Sequence, residues 1–225
     1  MQKIIIFGFP HCGTTILRTI IGHIDDVEEI IQEIGEINIE TTKKYILCKC
    51  PIIFNIFFTE KYDEYIKIFI VRNPLYVFSS LNKRWVNEEF PFDHTIDAYT
   101  YTIIKFIEYK RNPIKNLYLI RYEDIFENNY KKLKNIFNSI GFDYSDKIFD
   151  NEEYVKKSNL KIINEKPDNA NHDEYRNWQI KQKFVNNNDE SKIQLSEEQK
   201  KEILNNEYIK MIYPELNEFR EKIFI

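Results

Sequence analysis

The pattern most able to do chemistry lies at residues 8–15, which read GFPHCGTT. Its two glycines, with four residues between them, let the backbone turn tightly and aim N–H groups at a phosphate. Thr14 stands where a loop that handles ATP or GTP has lysine, the residue that reaches the γ-phosphate. The pattern therefore predicts a site for the 5′-phosphate of a nucleotide rather than for a triphosphate. The alternative is an ordinary tight turn between a strand and a helix.

The flanking residues predict the two elements that would position this loop. Before it, Lys3–Phe7 is a short apolar run rich in isoleucine, which suits a buried parallel strand. After it, the apolar residues from Thr14 to Gly22 share one helical face, and Gly22 is a helix stop signal. A helix that begins at the loop directs the positive end of its dipole at a bound anion.

Arg72 begins a second candidate anion site. It leaves the end of a strongly predicted strand, Ile66–Val71, and Pro74 suits the first turn of a following helix. Ser80 lies two turns into that helix. A guanidinium group and a hydroxyl group that face each other form a compact anion site. The alternative is that Arg72 pairs with an internal carboxylate and that Ser80 lies on the surface.

Strand and helix predictions alternate along the chain without repeats. Further strands are predicted at Lys44–Cys48 and Asn116–Arg121. Helices are predicted over residues 52–64, 74–84, 95–111 and 124–140, with a weaker candidate over 145–157 and a late helix opened by a Ser196–Gln199 capping box. This order predicts one α/β domain, residues 1–225, with a mostly parallel central sheet flanked by helices in a P-loop NTPase-like three-layer α/β/α arrangement. In such sheets, ligands bind beyond the carboxyl ends of the strands.

The bulk composition limits the class of protein. The net charge of −4 and the isoelectric point near 5.7 argue against nucleic acid as a partner. The three cysteines, Cys12, Cys48 and Cys50, give no disulfide framework and no zinc spacing. Without a signal-peptide pattern or an apolar run near the ~20 residues of a membrane span, the expectation is a cytoplasmic protein. A polar tract at Asn186–Asp189 predicts a mobile loop.

Taken together, the motifs resemble those of the sulfotransferases that use 3′-phosphoadenosine 5′-phosphosulfate (PAPS). The family's loop, P-K-S/A-G-T-T/S-x-L, is matched from Pro10 to Leu17. Its second motif, R-N-P-x-D-V-x-x-S, is matched from Arg72 to Ser80. Weaker matches are a Y-E-D segment at residues 122–124, Lys49 after the second predicted strand, and Arg176-Asn177-Trp178.

The sequence departs from the family at three places. His11 replaces the loop lysine, and histidine carries a charge only partly near pH 7. Tyr76 replaces the usual aspartate of the second motif. Cys50 and Pro51 follow Lys49, where some members carry a histidine base.

The resemblance implies in-line transfer of a sulfuryl group from PAPS to a hydroxyl or amine of a small-molecule or glycan acceptor, without a metal. The product nucleotide would be adenosine 3′,5′-bisphosphate (PAP). The 5′ side would be held by Pro10, His11, Cys12, Gly13, Thr14, Thr15 and Ile16, and the 3′-phosphate by Arg72, Ser80 and Arg176. Lys49 and His11 would stabilise charge on the leaving phosphate. Glu33, Glu36 and His94 are candidates for the general base, with a solvated surface position as the alternative for each.

A rival interpretation uses the same loop. Residues 11–19 also fit H-C-x₅-R-[ST], the signature of cysteine phosphatases of the low-molecular-weight type. Cys12 would then be a thiolate activated by the helix dipole and by Arg18. Against it, the residues after Gly13 read as a helix that carries Arg18 away from the anion, and the motif from Arg72 to Ser80 stays unexplained. A nucleotide kinase is disfavoured by Thr14, and a non-catalytic nucleotide-binding module is a further alternative.

Overall fold

The computed structural model describes residues 1–33, 36–51, 55–85, 94–150 and 184–223. Its sheet is formed by β1 (Gln2–Gly8), β2 (Val27–Glu33), β3 (Tyr45–Cys50), β4 (Ile66–Val71) and β5 (Leu117–Arg121). The strand order is β2-β3-β1-β4-β5, and every neighbouring pair is parallel. Because β1 is central, the loop that follows it lies in the middle of the carboxyl edge of the sheet.

Helices cover both faces of this sheet. They are α1 (Thr14–Gly22), α2 (Pro74–Arg84), α3 (Ile96–Arg111), α4 (Tyr122–Phe126), α5 (Lys131–Ile140), α6 (Glu197–Asn205), α7 (Glu207–Ile212) and α8 (Leu216–Ile223). Within the described ranges, every helix falls short of the length and apolar character that a membrane span requires.

The hydrophobic core is split into two clusters by the sheet. Successive side chains of a strand point to opposite faces. Ile5 and Phe7 of β1 therefore pack with apolar residues of α2, α3, α6, α7 and α8. Ile4 and Ile6 pack instead with residues of α1, α4 and α5. The predicted fold class, a parallel sheet flanked by helices in three layers, is confirmed.

The predicted strands are all present. Ile66–Val71 has the predicted bounds, and the other three shift by one or two residues. Strand β2 was not predicted, because its sequence VEEIIQE contains three glutamates and no clear strand period. It forms because it pairs with β3 at the edge of the sheet.

Two of the predicted helices, over residues 74–84 and 95–111, correspond to α2 and α3, and the Ser196–Gln199 capping box opens α6 as predicted. Asn73 caps α2 by accepting a hydrogen bond from the Leu75 N–H at 3.0 Å.

The helix predicted from Thr14 to Gly22 is present as α1 with those bounds, and the other three helix predictions differ from the structure in its described residues. A single helix over 124–140 is broken into α4 and α5, because Asn128, Asn129 and Tyr130 have positive φ values of 47°, 55° and 60°. The described part of 52–64 contains only short 3₁₀ turns, and residues 52–54 lie outside the described residues. The candidate over 145–157 begins as a 3₁₀ turn at Asp146–Phe149, and residues 151–157 lie outside the described residues.

Candidate functional site

The loop after β1 is shaped by two residues in the left-handed region. His11 has φ 65° and Gly13 has φ 94°. A Cβ atom at Gly13 would lie 2.4 Å from Cδ2 of Tyr122, so only glycine fits both the backbone angle and the space. Helix α1 begins directly at Thr14, and the first N–H groups of a helix lack acceptors within it. The loop and α1 therefore present N–H donors at the centre of the carboxyl edge, where an anion is favoured.

Lys49 and Glu33 lie beside this loop, at the carboxyl ends of β3 and β2. Lys49 is in register with Ile6 of β1 on one side and with Glu33 on the other. Its Nζ donates to Oε1 of Glu33 at 2.5 Å, and the lysine side chain is only 5% exposed. The structure therefore brings together the candidate charge stabiliser and one candidate base.

Arg72 and Ser80 lie on the other side of the loop, and both contact His11. Nη1 of Arg72 donates to the backbone oxygen of His11 at 3.3 Å. Oγ of Ser80 lies 2.6 Å from Nδ1 of the His11 ring. The guanidinium of Arg72 also stacks on Tyr122, with its Cζ 4.3 Å from the ring centre. The two predicted anion sites therefore adjoin one another through His11.

His11 is electrically neutral near pH 7 in this structure. Burial, followed by the positive charges of neighbouring groups such as Arg84, Arg72 and Lys49, lowers the pKa of its ring to about 3. The ring can donate or accept a hydrogen bond with Ser80, but it does not supply the permanent charge of a lysine.

The Y-E-D segment connects the site to its surroundings. The Tyr122 hydroxyl donates to the backbone oxygen of Val185 at 3.2 Å and accepts from the N–H of Asn187 at 3.1 Å. Oε1 of Glu123 accepts from the N–H of Asn73, at the start of α2, at 2.9 Å. Asp124 pairs with Arg121 at 2.9 Å, away from the loop. These contacts join α4 to β5, to α2 and to residues 184–194.

Residues 184–194, called here the strap, were missed as part of the site. Asn188 of the strap accepts a hydrogen bond from Arg72 Nε at 2.9 Å and donates one to Glu123 Oε1 at 2.8 Å. Further along, the N–H of Gln194 donates to Oγ of Ser79 at 2.9 Å. The polar tract at Asn186–Asp189 was predicted as a mobile loop; it is a loop, but these hydrogen bonds fasten it to the site.

The remaining candidates divide between the site and other places. His94 lies beside the loop, with its ring centre 6.2 Å from that of Phe9. Glu36 is exposed and pairs at 2.5 Å with Lys61, which lines a cavity at the opposite, amino-terminal edge of the sheet. Glu36 is therefore not placed to act as the base. Arg176, together with Trp178, lies outside the described residues.

The geometry opposes the phosphatase alternative. The Cys12 thiol is fully buried, and burial raises its pKa, so it is not a thiolate. Arg18 is also buried, and its Nε lies 2.7 Å from Oε1 of Glu29 on β2. Cys12 is therefore not an exposed thiolate, and Arg18, the arginine of the phosphatase signature, is held by Glu29.

Comparison with known proteins gives likenesses at the level of the fold. No protein-family model matches the chain, and no curated protein sequence matches it. Among solved structures it is similar to mouse sulfotransferase SULT7A1 complexed with PAP, with a TM-score of 0.48, 19% identity, and coverage of 70% of this chain and 63% of that one. This chain therefore spans less than two thirds of the mouse protein.

Retinol dehydratase is a second structural likeness. Its complex with androsterone and the inactive cofactor PAP gives a TM-score of 0.49 at 12% identity, covering 80% of this chain and 71% of that one. Its complex with retinol and PAP gives 0.43 at 12% identity, covering 70% of this chain and 65% of that one. These likenesses concern the course of the chain, and only the residues of the site bear on function.

Proposed function

We propose that this chain binds PAPS and transfers its sulfuryl group to a hydroxyl or amine of a small-molecule or glycan acceptor, releasing PAP. The observation that carries the proposal is the pair of adjoining anion sites at the carboxyl edge of the sheet. One is the start of α1 and the other is Arg72, and Ser80 reaches the first loop through its 2.6 Å contact with His11. A nucleotide with phosphates on both its 5′ and 3′ positions matches two such sites.

The residues around the loop divide the binding between them. The N–H groups from Gly13 to Ile16 and the hydroxyls of Thr14 and Thr15 would hold the 5′-phosphosulfate. The N–H of Cys12 donates instead to the backbone oxygen of Phe9 at 3.2 Å. Arg72 and Ser80 would hold the 3′-phosphate through charge-assisted hydrogen bonds. Arg176 belongs to the weaker family match at residues 176–178, and it is proposed as a further contact to the 3′-phosphate.

The transfer itself needs positioning and charge stabilisation. The acceptor oxygen or nitrogen forms a bond to sulfur as the bond from sulfur to the 5′-phosphate oxygen breaks. The bonding electrons stay on that phosphate oxygen, and the acceptor proton passes to a base, for which Glu33 and His94 are the candidates beside the loop. Lys49, with the N–H groups of the loop, would stabilise the negative charge that develops on the leaving phosphate.

One observation favours a second candidate, a nucleotide-binding protein without transfer activity. His11 replaces the family's loop lysine, and its pKa of about 3 leaves it neutral near pH 7. Stabilisation of the leaving phosphate by a side-chain charge at the loop then depends on Lys49.

Two measurements on the whole chain test the proposal. Calorimetric binding of PAPS and PAP is compared with binding of ATP, and PAPS labelled in its sulfuryl group is incubated with phenols, alcohols and amines. The proposal expects tight binding of PAPS and PAP and labelled product from at least one acceptor class. Binding without transfer would support the second candidate. Binding of ATP as tightly as PAPS would overturn the proposal but not the second candidate. Hydrolysis of p-nitrophenyl phosphate that needs Cys12 would overturn both.

A further inference from the structure

The carboxamide of Asn188 lies between a guanidinium and a carboxylate. Its Oδ1 accepts from Arg72 Nε at 2.9 Å, and its Nδ2 donates to Glu123 Oε1 at 2.8 Å. Within the described part of the chain, Arg72 and Glu123 form no direct ion pair with each other. The amide of Asn188 is therefore what connects the two charged groups and also what separates them.

The contacts of Arg72 leave one edge of its guanidinium open. Of the five N–H groups of an arginine, Nε–H is used by Asn188 and one on Nη1 by the backbone oxygen of His11. One face of the group is covered by Tyr122. The second N–H of Nη1 and both of Nη2 have no acceptor among the residues that the structure describes. This is the edge with which arginine binds a phosphate through two parallel hydrogen bonds.

Glu123 could compete with a phosphate for the open Nη edge of Arg72. It is largely buried, and burial raises the pKa of its carboxyl group. Its Oε2 has no hydrogen-bond partner in the described structure. An underpartnered, buried carboxylate gains by pairing with a neighbouring guanidinium. Arg121 also acts electrostatically on Glu123, but its guanidinium is already paired with Asp124 at 2.9 Å. The amide of Asn188 donates to Glu123 and accepts from Arg72 at the same time, whereas a carboxylate could not donate and an ammonium group could not accept.

The strap holds Asn188 in this place from both sides. On one side, Val185 and Asn187 are hydrogen-bonded to the Tyr122 hydroxyl. On the other, Gln194 is hydrogen-bonded to Ser79 of α2. These backbone contacts on both sides fix the position from which the Asn188 side chain reaches the two charged groups.

We propose that Asn188 is a positioning residue that keeps Arg72 from pairing with Glu123 and so leaves the Nη edge of Arg72 open to a phosphate monoester. The identity of that anion as the 3′-phosphate of PAPS or PAP rests on the proposed function. The spacing role itself needs no ligand and can be measured in the free protein.

The first test is a titration of the Glu123 carboxyl carbon by NMR in wild type, Asn188→Ala and Asn135→Ala, with Glu123→Gln to assign the signal. Asn135 is an exposed asparagine of α5 and serves as the matched control. If Asn188 is a spacer, its loss lets Arg72 reach Glu123, and the Glu123 pKa falls. If Asn188 only donates a hydrogen bond to the carboxylate, its loss raises that pKa. A rise or no change overturns the spacing role. Asn188→Ser repeats the test if Asn188→Ala does not fold.

The second test measures ligand preference by calorimetry. We expect Asn188→Ala to weaken binding of PAP by about 10-fold, with little change for AMP, because about 1.4 kcal/mol of 3′-phosphate binding is lost to the competing ion pair. Adding Glu123→Gln to Asn188→Ala should restore part of the loss, since glutamine keeps the acceptor for Asn73 but has no charge. A double variant no better than the single one overturns the spacing role. A wild type that binds AMP and PAP equally overturns the proposed function, while the carboxyl titration still decides the spacing role.

Discussion

His11 is the residue that most distinguishes this loop from those of the sulfotransferases it resembles. It occupies the lysine position, but burial and the neighbouring charges of Arg84, Arg72 and Lys49 lower the pKa of its ring, so that the ring is neutral near pH 7. Its contact with Ser80 joins the two anion sites without adding a charge. We therefore expect Lys49 to be the side chain of this region whose charge stabilises the leaving phosphate.

His11 should make the fold less stable in acid. Its folded pKa, about 3, lies below the usual histidine value of 6.5, so between these pH values the unfolded chain binds the extra proton. Stability is then fully present above pH ~6.5 and is lost as the pH falls, by at most about 1.4 kcal/mol per pH unit. His11→Gln should flatten this part of the curve, measured by urea unfolding between pH 4 and pH 7. Identical slopes for the two proteins would show that the ring is not held neutral.

Lys49 should matter more for turnover than for binding. Its charge is most useful when the leaving phosphate gains negative charge, so we expect Lys49→Met to reduce transfer by about 100-fold or more. The dissociation constant for PAP should change much less. Lys61→Met is the matched control, because Lys61 also pairs with a glutamate at 2.5 Å but lies at the opposite edge. Equal losses of binding and turnover in Lys49→Met would mark a ground-state contact instead.

The elements that a sequence can predict here are those set by local pattern. The β1–loop–α1 unit follows from an apolar run, two glycines and a helical period, all within 22 residues. Strand β2 could not be found in this way, because its stability comes from pairing with β3. The break between α4 and α5 did have a local signal, since Asn128 and Asn129 readily adopt positive φ.

Gly13 offers a test of the loop that separates backbone strain from a clash. Gly13→Ala forces alanine to φ 94° and brings a Cβ to 2.4 Å from the Tyr122 ring. We expect a loss of roughly 1–3 kcal/mol of stability and weaker PAP binding, measured by urea unfolding and calorimetry. Gly141→Ala is the control, since Gly141 has a similar φ of 82° but no atom within 4 Å of the added Cβ. It should lose only about 1 kcal/mol and bind PAP normally. Equal losses of stability and of PAP binding in the two variants would show that the clash with Tyr122 makes no contribution.

At the scale of the whole molecule, the residues of the candidate site come from distant parts of the chain. Lys49, the loop and Arg72 meet because β3, β1 and β4 are neighbours in a parallel sheet, and the alternation of strands and helices already predicted that edge. Asn188 could not be predicted in the same way. It lies 116 residues from Arg72, and no pattern at residues 186–189 distinguishes a fastened loop from a free one.

The recognition of two phosphates on one nucleotide is the central claim, and calorimetry of PAP against AMP tests it most directly. Wild type should bind PAP at least ~10-fold more tightly than AMP, because charge-assisted hydrogen bonds contribute about 1.5–3 kcal/mol each. Arg72→Ala should remove most of that preference while leaving AMP affinity nearly unchanged, and Ser80→Ala should remove part of it. Equal affinity of wild type for the two nucleotides, or an equal loss of both in Arg72→Ala, would contradict the claim.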